Sequence, residues 1–477
     1  MSTMNSVMWF RQDLRVADNP ALVAACEFAS QHQGKVRALY IVTPSQWMLH
    51  DVAPIQIDFI ERHVNLLAQS LAALGIALDV LHLHSFTDTE AALTDYIQQH
   101  HIDAVFAGSE PEINERRRDA LLIDKGVPLT LIDQDCLLAP GQVLNLSGDM
   151  YKVFTPFSKK WKSIASQRAI VPVAAPASVA AALAHPEAIV FECNKRSSEQ
   201  WAAGEGAAKR ILDQFLATQV ADYQTDRDFP ALDGTSRLSP FLALGVISSR
   251  QCVAAILARY PEALVDDTCP AKTWLNELIW REFYRHLLVA FPKLSMAHNF
   301  NELGDGIAWR NNLDEFQAWC EGKTGYPIVD AAMRQLNQTG WMHNRLRMVV
   351  ASFLTKHLLV DWRWGERYFR QQLIDGDLAA NNGGWQWSAG TGCDAQPYFR
   401  VFNPMTQSSK FDPDASFIKR YIPELATWSF KDIHEPKSVN VHDLFAQPDN
   451  QGYPKPIVEH KMARLRAIEV LSALKRG

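Results

Sequence analysis

Residues 375–390 read DGDLAANNGGWQWSAG. Asp375 and Asp377 flank Gly376, where carboxylates can accept hydrogen bonds from ribose hydroxyls or pair with an arginine. Asn381 and Asn382 are neutral amides, and Gly383 and Gly384 allow another surface to approach the backbone closely. If the following turn is helical, Trp385 and Trp387 point about 200° apart. They then serve different surfaces, one a cavity and the other the domain interior.

Three further stretches carry chemistry. In DGTSRLSPFLALG (233–245), Ser239 followed by Pro240 predicts a helix start, with a capping hydroxyl and proline at the first helical position. Thr235, Ser236 and Ser239 set hydroxyls beside free backbone N–H groups, a ready site for phosphate; the plainer account is that Ser239 only caps its helix. In WLNELIWREFYRHLL (274–288), Leu275, Leu278 and Ile279 pack inward, while Glu277, Trp280, Arg281 and Tyr284 form a second stripe. Acid, indole, guanidinium and phenol together suit the wall of a polar cavity. In WMHNRLRMVVASFL (341–354), Leu346, Val349, Val350 and Phe353 form a core stripe, and Trp341, Asn344, Arg345 and Met348 repeat the same spacing on another face. For either helix alone, a packing tryptophan and a solvated arginine would suffice; two such helices weaken that account.

These side chains need a scaffold. A chain of 477 residues predicts two domains. Hydrophobic content of 47% and charged content of 21% are those of a soluble globular protein. Nine of the 14 tryptophans fall between Trp274 and Trp387, which suggests an aromatic platform or an indole-rich helical core. A net charge of −6 gives no argument for nucleic acid, although a local basic groove is enough to bind it. Seven scattered cysteines show neither metal-ligand spacing nor a disulfide framework, so reduced thiols are expected. With no secretory apolar stretch and no run long enough to span a bilayer, the expectation is a cytoplasmic protein with no membrane partner.

The first 135 residues alternate strands (6–10, 36–42, 78–83, 104–108, 129–133) with amphipathic stretches near 19–32, 54–74, 88–101 and 112–125. That order predicts a parallel, Rossmann-like sheet with helices on both faces. No G-x-G-x-x-G follows the first strand, which argues against a dinucleotide bound in the Rossmann manner. Residues 170–190, rich in Ala and Pro, read as a surface connection. Beyond about residue 200 the chain is helical, with long examples at 273–290, 327–357 and 459–475, and no repeat is seen. The expected division is an α/β domain (1–135), a linker (136–202) and an all-α domain (203–477).

The chain resembles the photolyase/cryptochrome family, and within it the bacterial class I cyclobutane pyrimidine dimer photolyases. The resemblance runs through VMWFRQDLRVADNPAL (7–22), MYKVFTPF (150–157), GTSRLS (234–239), WLNELIWREFYRHL (274–287), GKTGYPIVDAAMRQL (322–336), GWMHNRLRM (340–348) and LIDGDLAANNGGWQW (373–387). It implies a light-driven lyase in which excited FADH⁻ gives one electron to a flipped-out dimer in UV-damaged DNA, the ring splits, and the electron returns. The helical domain is then the FAD- and DNA-binding catalytic domain, and FAD is held non-covalently. Tyr223, Thr235, Ser236, Arg237, Leu238 and Ser239 match the phosphate segment; Trp274, Glu277, Asn344, Arg347, Asp375, Gly376 and Asp377 match positions around the flavin, with Arg347 and Asp375 as an ion pair. Asn381 matches the residue facing flavin N5, where an amide accepts a hydrogen bond without repelling an anionic ring. Plant cryptochromes resemble the aspartate case.

By the same resemblance, Trp280 and Trp387 hold the flipped dimer, with Glu277 as hydrogen-bonding or proton-donating catalytic group and Arg281, Tyr284, Asn344, Arg345 and Met348 around it. Extruding a damaged pair is cheaper than flipping a normal base. Arg227, Arg345 and Gln407 match DNA contacts, with Arg400 and Lys410 as further phosphate contacts. Asn344 and Met348 stand where the (6-4) photolyases line the pocket with histidines. Trp385, Trp362 and Trp309 match the electron relay to the flavin. His50, Asn114 and Glu115 match the pocket of the antenna pigment, 5,10-methenyltetrahydrofolate, in the N-terminal antenna domain. Ser295–Met296 stand where folate-binding members tend to carry Cys–Lys, which removes a partner for the folate's glutamate tail. A monomer is expected. The alternatives are a signalling cryptochrome, a general flavin oxidoreductase, which would need a nicotinamide site, and a helical DNA-binding module without catalysis.

Overall fold

In a computed structural model, residues 3–397, 399–436 and 452–473 are described, and they form two compact units. The first comprises 1–221, 236–296 and 374–379. Its sheet contains β1 (Asn5–Phe10), β2 (Val36–Val42), β3 (Leu78–His82), β4 (Ile102–Gly108) and β5 (Leu129–Ile132), in the order β3-β2-β1-β4-β5 and parallel throughout. The central strands are buried on both faces, so β1 reads as an unbroken apolar run rather than an alternation. The intervening helices include α1 (Pro20–Gln31), α2 (Pro54–Ala73), α3 (Thr89–His100) and α4 (Ile113–Asp124). Val7, Trp9, Leu39, Ile41, Val105 and Ala107 pack beneath α3 residues Leu93 and Tyr96.

At the carboxyl ends of β1 and β4, where this strand order leaves its crevice, the space is filled by side chains. Arg11 donates to the Gly108 carbonyl (3.1 Å) and Gln134 donates to Asp13 Oδ2 (2.6 Å). A Cβ on Gly108 would lie 2.9 Å from that same oxygen. This gives a physical reason for the missing glycine fingerprint: an ionic plug occupies the Rossmann crevice. The 170–190 connection has no regular structure and runs along α2, with Val179 N–H donating to Leu74 O and Leu183 N–H to Ala72 O. The same unit holds α5 (Lys272–Ala290).

The second unit comprises 222–235, 297–373 and 380–477 and is helical over its described residues. The expected helix over 327–357 is three pieces: α6 (Pro327–Thr339), α7 (Asn344–Ser352) and a π turn, Phe353–His357. Gly340, at φ 72°, ends α6 in the left-handed conformation that glycine takes without strain, and the His343 ring caps α7 by accepting from Arg345 N–H (3.3 Å). The core stripe of Leu346, Val349, Val350 and Phe353 is buried as expected, but Trp341 precedes α7 and does not share its face. α8 (Trp362–Gln372), α9 (Leu378–Ala389) and α10 (Pro404–Phe411) follow. The 459–475 helix spans His460–Ala473; positions 474 and 475 lie outside the described residues. Among the described residues no helix is long and apolar enough to cross a membrane, and all seven cysteines are free thiols.

Candidate functional site

In the first unit, His50, Asn114 and Glu115 come together. Asn114 Nδ2 lies 3.0 Å from His50 Nε2, and Gln46 Nε2 lies 2.8 Å from the same atom. Both amide nitrogens can only donate, so Nε2 accepts and the ring proton sits on Nδ1, 3.5 Å from Glu115 Oε1. Glu115 is 7% exposed, and its Oε2 meets no hydrogen-bond partner among the described residues. Burial, then the neighbouring Glu110, push this carboxyl up to about 7. Phe86 meets the His50 ring edge-on at 5.8 Å and lies 4.7 Å under the Arg118 guanidinium. Gln46 escaped the sequence reading; its i,i+4 spacing to His50 was the available signal. Ser295 Oγ is buried with no hydrogen-bond partner among the described residues, Met296 is exposed, and neither side chain carries a charge.

The acidic loop at 375–377 is clamped from two sides. Asp377 pairs with Arg285 of α5, and Gln56 of α2 donates to Gly376 O (2.8 Å). Asp375 is buried. Arg285 also pairs with Asp135, which in turn binds Arg281 (2.5 Å). Burial would raise the Asp135 carboxyl, but Arg281 and Arg285 outweigh it and hold the group well below the usual range. Arg281 also donates to Asp135 O (3.0 Å), Ser249 Oγ (3.1 Å) and Leu242 O (3.2 Å). Arg281 thus also serves as an internal anchor, tied to an acid outside the stripe it shares with Glu277, Trp280 and Tyr284. Those three are half-buried, and one face of Trp280 is stacked on Phe154 (3.6 Å) with Tyr284 at 5.5 Å. Trp274 is buried against Phe215 (5.0 Å).

The short helix after the predicted phosphate segment begins at Ser239 itself, with Leu238 in the capping place, so Ser239 is not the cap. Arg237 sits at φ 50°, left-handed backbone that a non-glycine residue holds only at a cost. Ser236 Oγ accepts from Leu238 N–H (3.4 Å). Cys136, Glu282 and His286 are buried close to one another. The Glu282 oxygens accept from Leu137 N–H (2.5 Å), Trp161 Nε1–H (2.6 Å) and Leu138 N–H (3.3 Å), which makes Glu282 a backbone anchor.

In the second unit, Trp385 and Trp362 belong to one core with 2% and 0% exposure, and the half-buried Trp309 packs against it. A Cβ on Gly365 would lie 2.1 Å from the Trp385 ring, so only glycine fits there. Trp362 Nε1–H donates to Asn299 Oδ1 (2.9 Å), whereas Trp385 Nε1–H meets no acceptor among the described residues. Trp387, on the same helix, is half-buried. The two indoles therefore differ in burial, in line with the angular argument from sequence. Asn381 Nδ2 donates to Glu366 O (3.0 Å), which fixes Oδ1 as the accepting end of the amide. Beside it, Asn382, Gln386 and the Glu366 carboxylate form a chain of 2.9 Å bonds that the sequence did not reveal.

Asn344 is exposed at the start of α7, and Arg345, Arg347 and Met348 are half-buried. Arg347 Nε donates to Met342 O (2.9 Å), and Arg345 pairs with Asp228, an acid absent from the sequence reading. Tyr223 is buried under the Arg227 guanidinium (5.4 Å), Thr235 and Gln407 are half-buried, and Arg400 and Lys410 are exposed.

These arrangements can be set beside known proteins. A family model described as DNA photolyase matches residues 6–178, and one described as the FAD-binding domain of DNA photolyase matches 274–473. A deoxyribodipyrimidine photo-lyase of Vibrio cholerae is 46% identical over 469 residues, covering 96% of this chain and 97% of the relative. A bacterial class III photolyase from Agrobacterium tumefaciens superimposes with a TM-score of 0.82 at 36% identity, covering 100% of this chain and 99% of the other. An archaeal photolyase from Sulfolobus tokodaii, solved with two FAD molecules, gives 0.79 at 29% identity, covering 98% and 100%. With both halves matched in order and relatives aligned along nearly their whole length, this chain belongs to the DNA photolyase family.

Proposed function

We propose that the chain is a light-driven lyase that splits cyclobutane pyrimidine dimers in DNA. The observation that carries this reading is α9: twelve residues hold an oriented acceptor amide (Asn381), a fully packed indole (Trp385) and a half-buried one (Trp387). The donor set suits FAD. Hydroxyls at 235, 236 and 239 suit phosphate, carboxylates at 375 and 377 suit ribose, and the Asn381 amide suits an N–H donor without adding charge. Bound and reduced, the flavin supplies the photo-excited electron; the protein binds, orients and tunes.

The chain's own residues then have distinct tasks. Asn381 Oδ1 accepts from the flavin's N5–H, Glu277 hydrogen-bonds the base edge, Trp280 and Trp387 hold the extruded dimer, and Arg227, Arg345 and Gln407 contact the strand. Trp309, Trp362 and Trp385 would carry electrons from an external reductant toward a bound flavin. His50, Asn114 and Glu115 hold an antenna heterocycle: an unpartnered buried carboxylate oxygen and an acceptor-rich set fit the N–H donors of a folate pterin. The working division is an antenna domain (1–135), a linker (136–202) and a catalytic domain (203–477), acting as a monomer in the cytoplasm.

The test is illumination of the flavin-loaded protein with a thymine-dimer oligonucleotide under blue light, beside a dark control. Repair in the light alone supports the reading. Flavin photoreduction with the lesion intact would point instead to signalling.

A further inference from the structure

The second unit contains an acid where the proposed reading calls for cations. Asp228 directly follows Arg227, and its carboxylate takes Arg345 in a two-pronged grip, from Nε to Oδ1 (3.1 Å) and from Nη2 to Oδ2 (2.7 Å). Arg227 Nε lies 4.0 Å from Oδ1 of the same group. One carboxylate therefore serves both arginines expected to meet phosphate. The Arg345 guanidinium is further laid over the Phe411 ring at 4.5 Å, with Lys410 Nζ 5.0 Å from that ring. Its remaining nitrogen, Nη1, faces Met348 Sδ at 3.7 Å. All three charged side chains keep some exposure, 19% for Arg345, 31% for Asp228 and 22% for Arg227.

A structural ion pair at this exposure adds little stability, and one acid placed among cations lowers their attraction for a polyanion. We propose that Asp228 restrains the phosphate-driven affinity of this face: Arg345 and Arg227 must leave its carboxylate before they meet a strand, so undamaged DNA, which gains only from phosphates, is held weakly, whereas a lesion complex keeps the contacts of its pocket in addition. The inference rests on the reading of Arg345 as a DNA contact. Undamaged duplex gains only from phosphates, so unmasking one cation adds about one released counterion, worth roughly fivefold in affinity near 0.1 M salt.

The experiment measures Kd by fluorescence anisotropy in the dark, on the flavin-loaded protein, for a thymine-dimer duplex and its undamaged twin from 50 to 200 mM salt. Asp228→Asn is expected to tighten undamaged binding about fivefold and steepen its salt slope by about 0.9. Lesion binding should tighten by a similar factor, because the arginines also leave Asp228 in that complex, and Asp228→Glu should bind both duplexes as the wild type does. In an Arg345→Ala background, Asp228→Asn should lose most of its effect, as expected if the two act through one contact. If Arg345→Ala leaves both duplexes unaffected, the DNA role of Arg345 falls and the inference with it. If Arg345→Ala weakens binding but Asp228→Asn leaves undamaged affinity and salt slope unchanged, or weakens both duplexes equally, the restraining role alone is overturned.

Discussion

The two units bury polarity in opposite ways. Around the acidic loop of the first, the interior is ionic: Arg281 and Arg285 share Asp135, and Arg285 also reaches Asp377. In the indole core of the second, the side chains that hydrogen-bond Trp362 or stand on the Trp385 helix are mostly neutral amides (Asn299, Asn381, Asn382 and Gln386), with the Glu366 carboxylate accepting from Asn382 and the Arg363 guanidinium over the Trp362 ring at 4.9 Å. The difference follows from what each region must hold still. Paired ions fix backbone at a defined place, because breaking one leaves a charge stranded. A path for electrons is served better by groups whose field does not trap a hole or repel a reduced ring. The first region clamps a loop with paired ions; the second lines its indoles mostly with amides.

The sharpest break in that comparison is Trp385→Phe. It should abolish light-driven reduction of the flavin, read as bleaching of the oxidised absorbance, while chemically reduced protein still repairs dimers. Next comes Arg285→Ala, which removes the Arg285 pairs from Asp135 and Asp377, leaves Arg281 on Asp135, and should cost about 3 kcal/mol in denaturant unfolding. The same network predicts an acid limb. Because the Asp135 carboxyl is lower in the folded chain than its ordinary 3.8, its contribution is present above about pH 4 and is lost as pH falls further. Wild-type stability should drop over that range, and the drop should be shallower in Asp135→Asn.

A smaller effect is expected where an amide of the second region gains a charge. Asn381→Asp should disfavour the anionic reduced flavin by on the order of 1–3 kcal/mol, read as a lowered midpoint potential with DNA affinity unchanged. Of opposite sign is Glu115→Gln. The folded Glu115 carboxyl stands at about 7 against an ordinary 4.5, so its ionisation in the folded state opposes folding as pH rises through that window. The glutamine variant should gain up to about 3 kcal/mol at pH 8 and none at pH 4, and it should lose antenna binding. A variant that gains stability while keeping the pigment would separate Glu115 from that pocket.

How much of this was legible in sequence depended on how local the signal was. The parallel sheet showed in runs such as SVMWF, whose burial on both faces leaves no alternation. The single helix expected over 327–357 failed because apolar periodicity carries on across Gly340, where the backbone turns left-handed. The anchoring of Arg281 was invisible because its acid lies 146 residues away, as was Asp228, 117 residues from Arg345. Gly365 offered no clue in its own neighbourhood: the ring that demands it comes from another helix. The motifs matched the family because they are contiguous; the ion pairs that position them are not.

The most direct measurement of the central claim is an action spectrum: dimer loss per absorbed photon against wavelength, with the reduced flavin protein and a thymine-dimer oligonucleotide in excess. The account predicts that loss per incident photon follows the absorption of the bound chromophores, with a near-constant yield per absorbed photon, and is zero in the dark. A lesion that stays intact at every wavelength with reduced flavin bound, or that disappears without light, would contradict it.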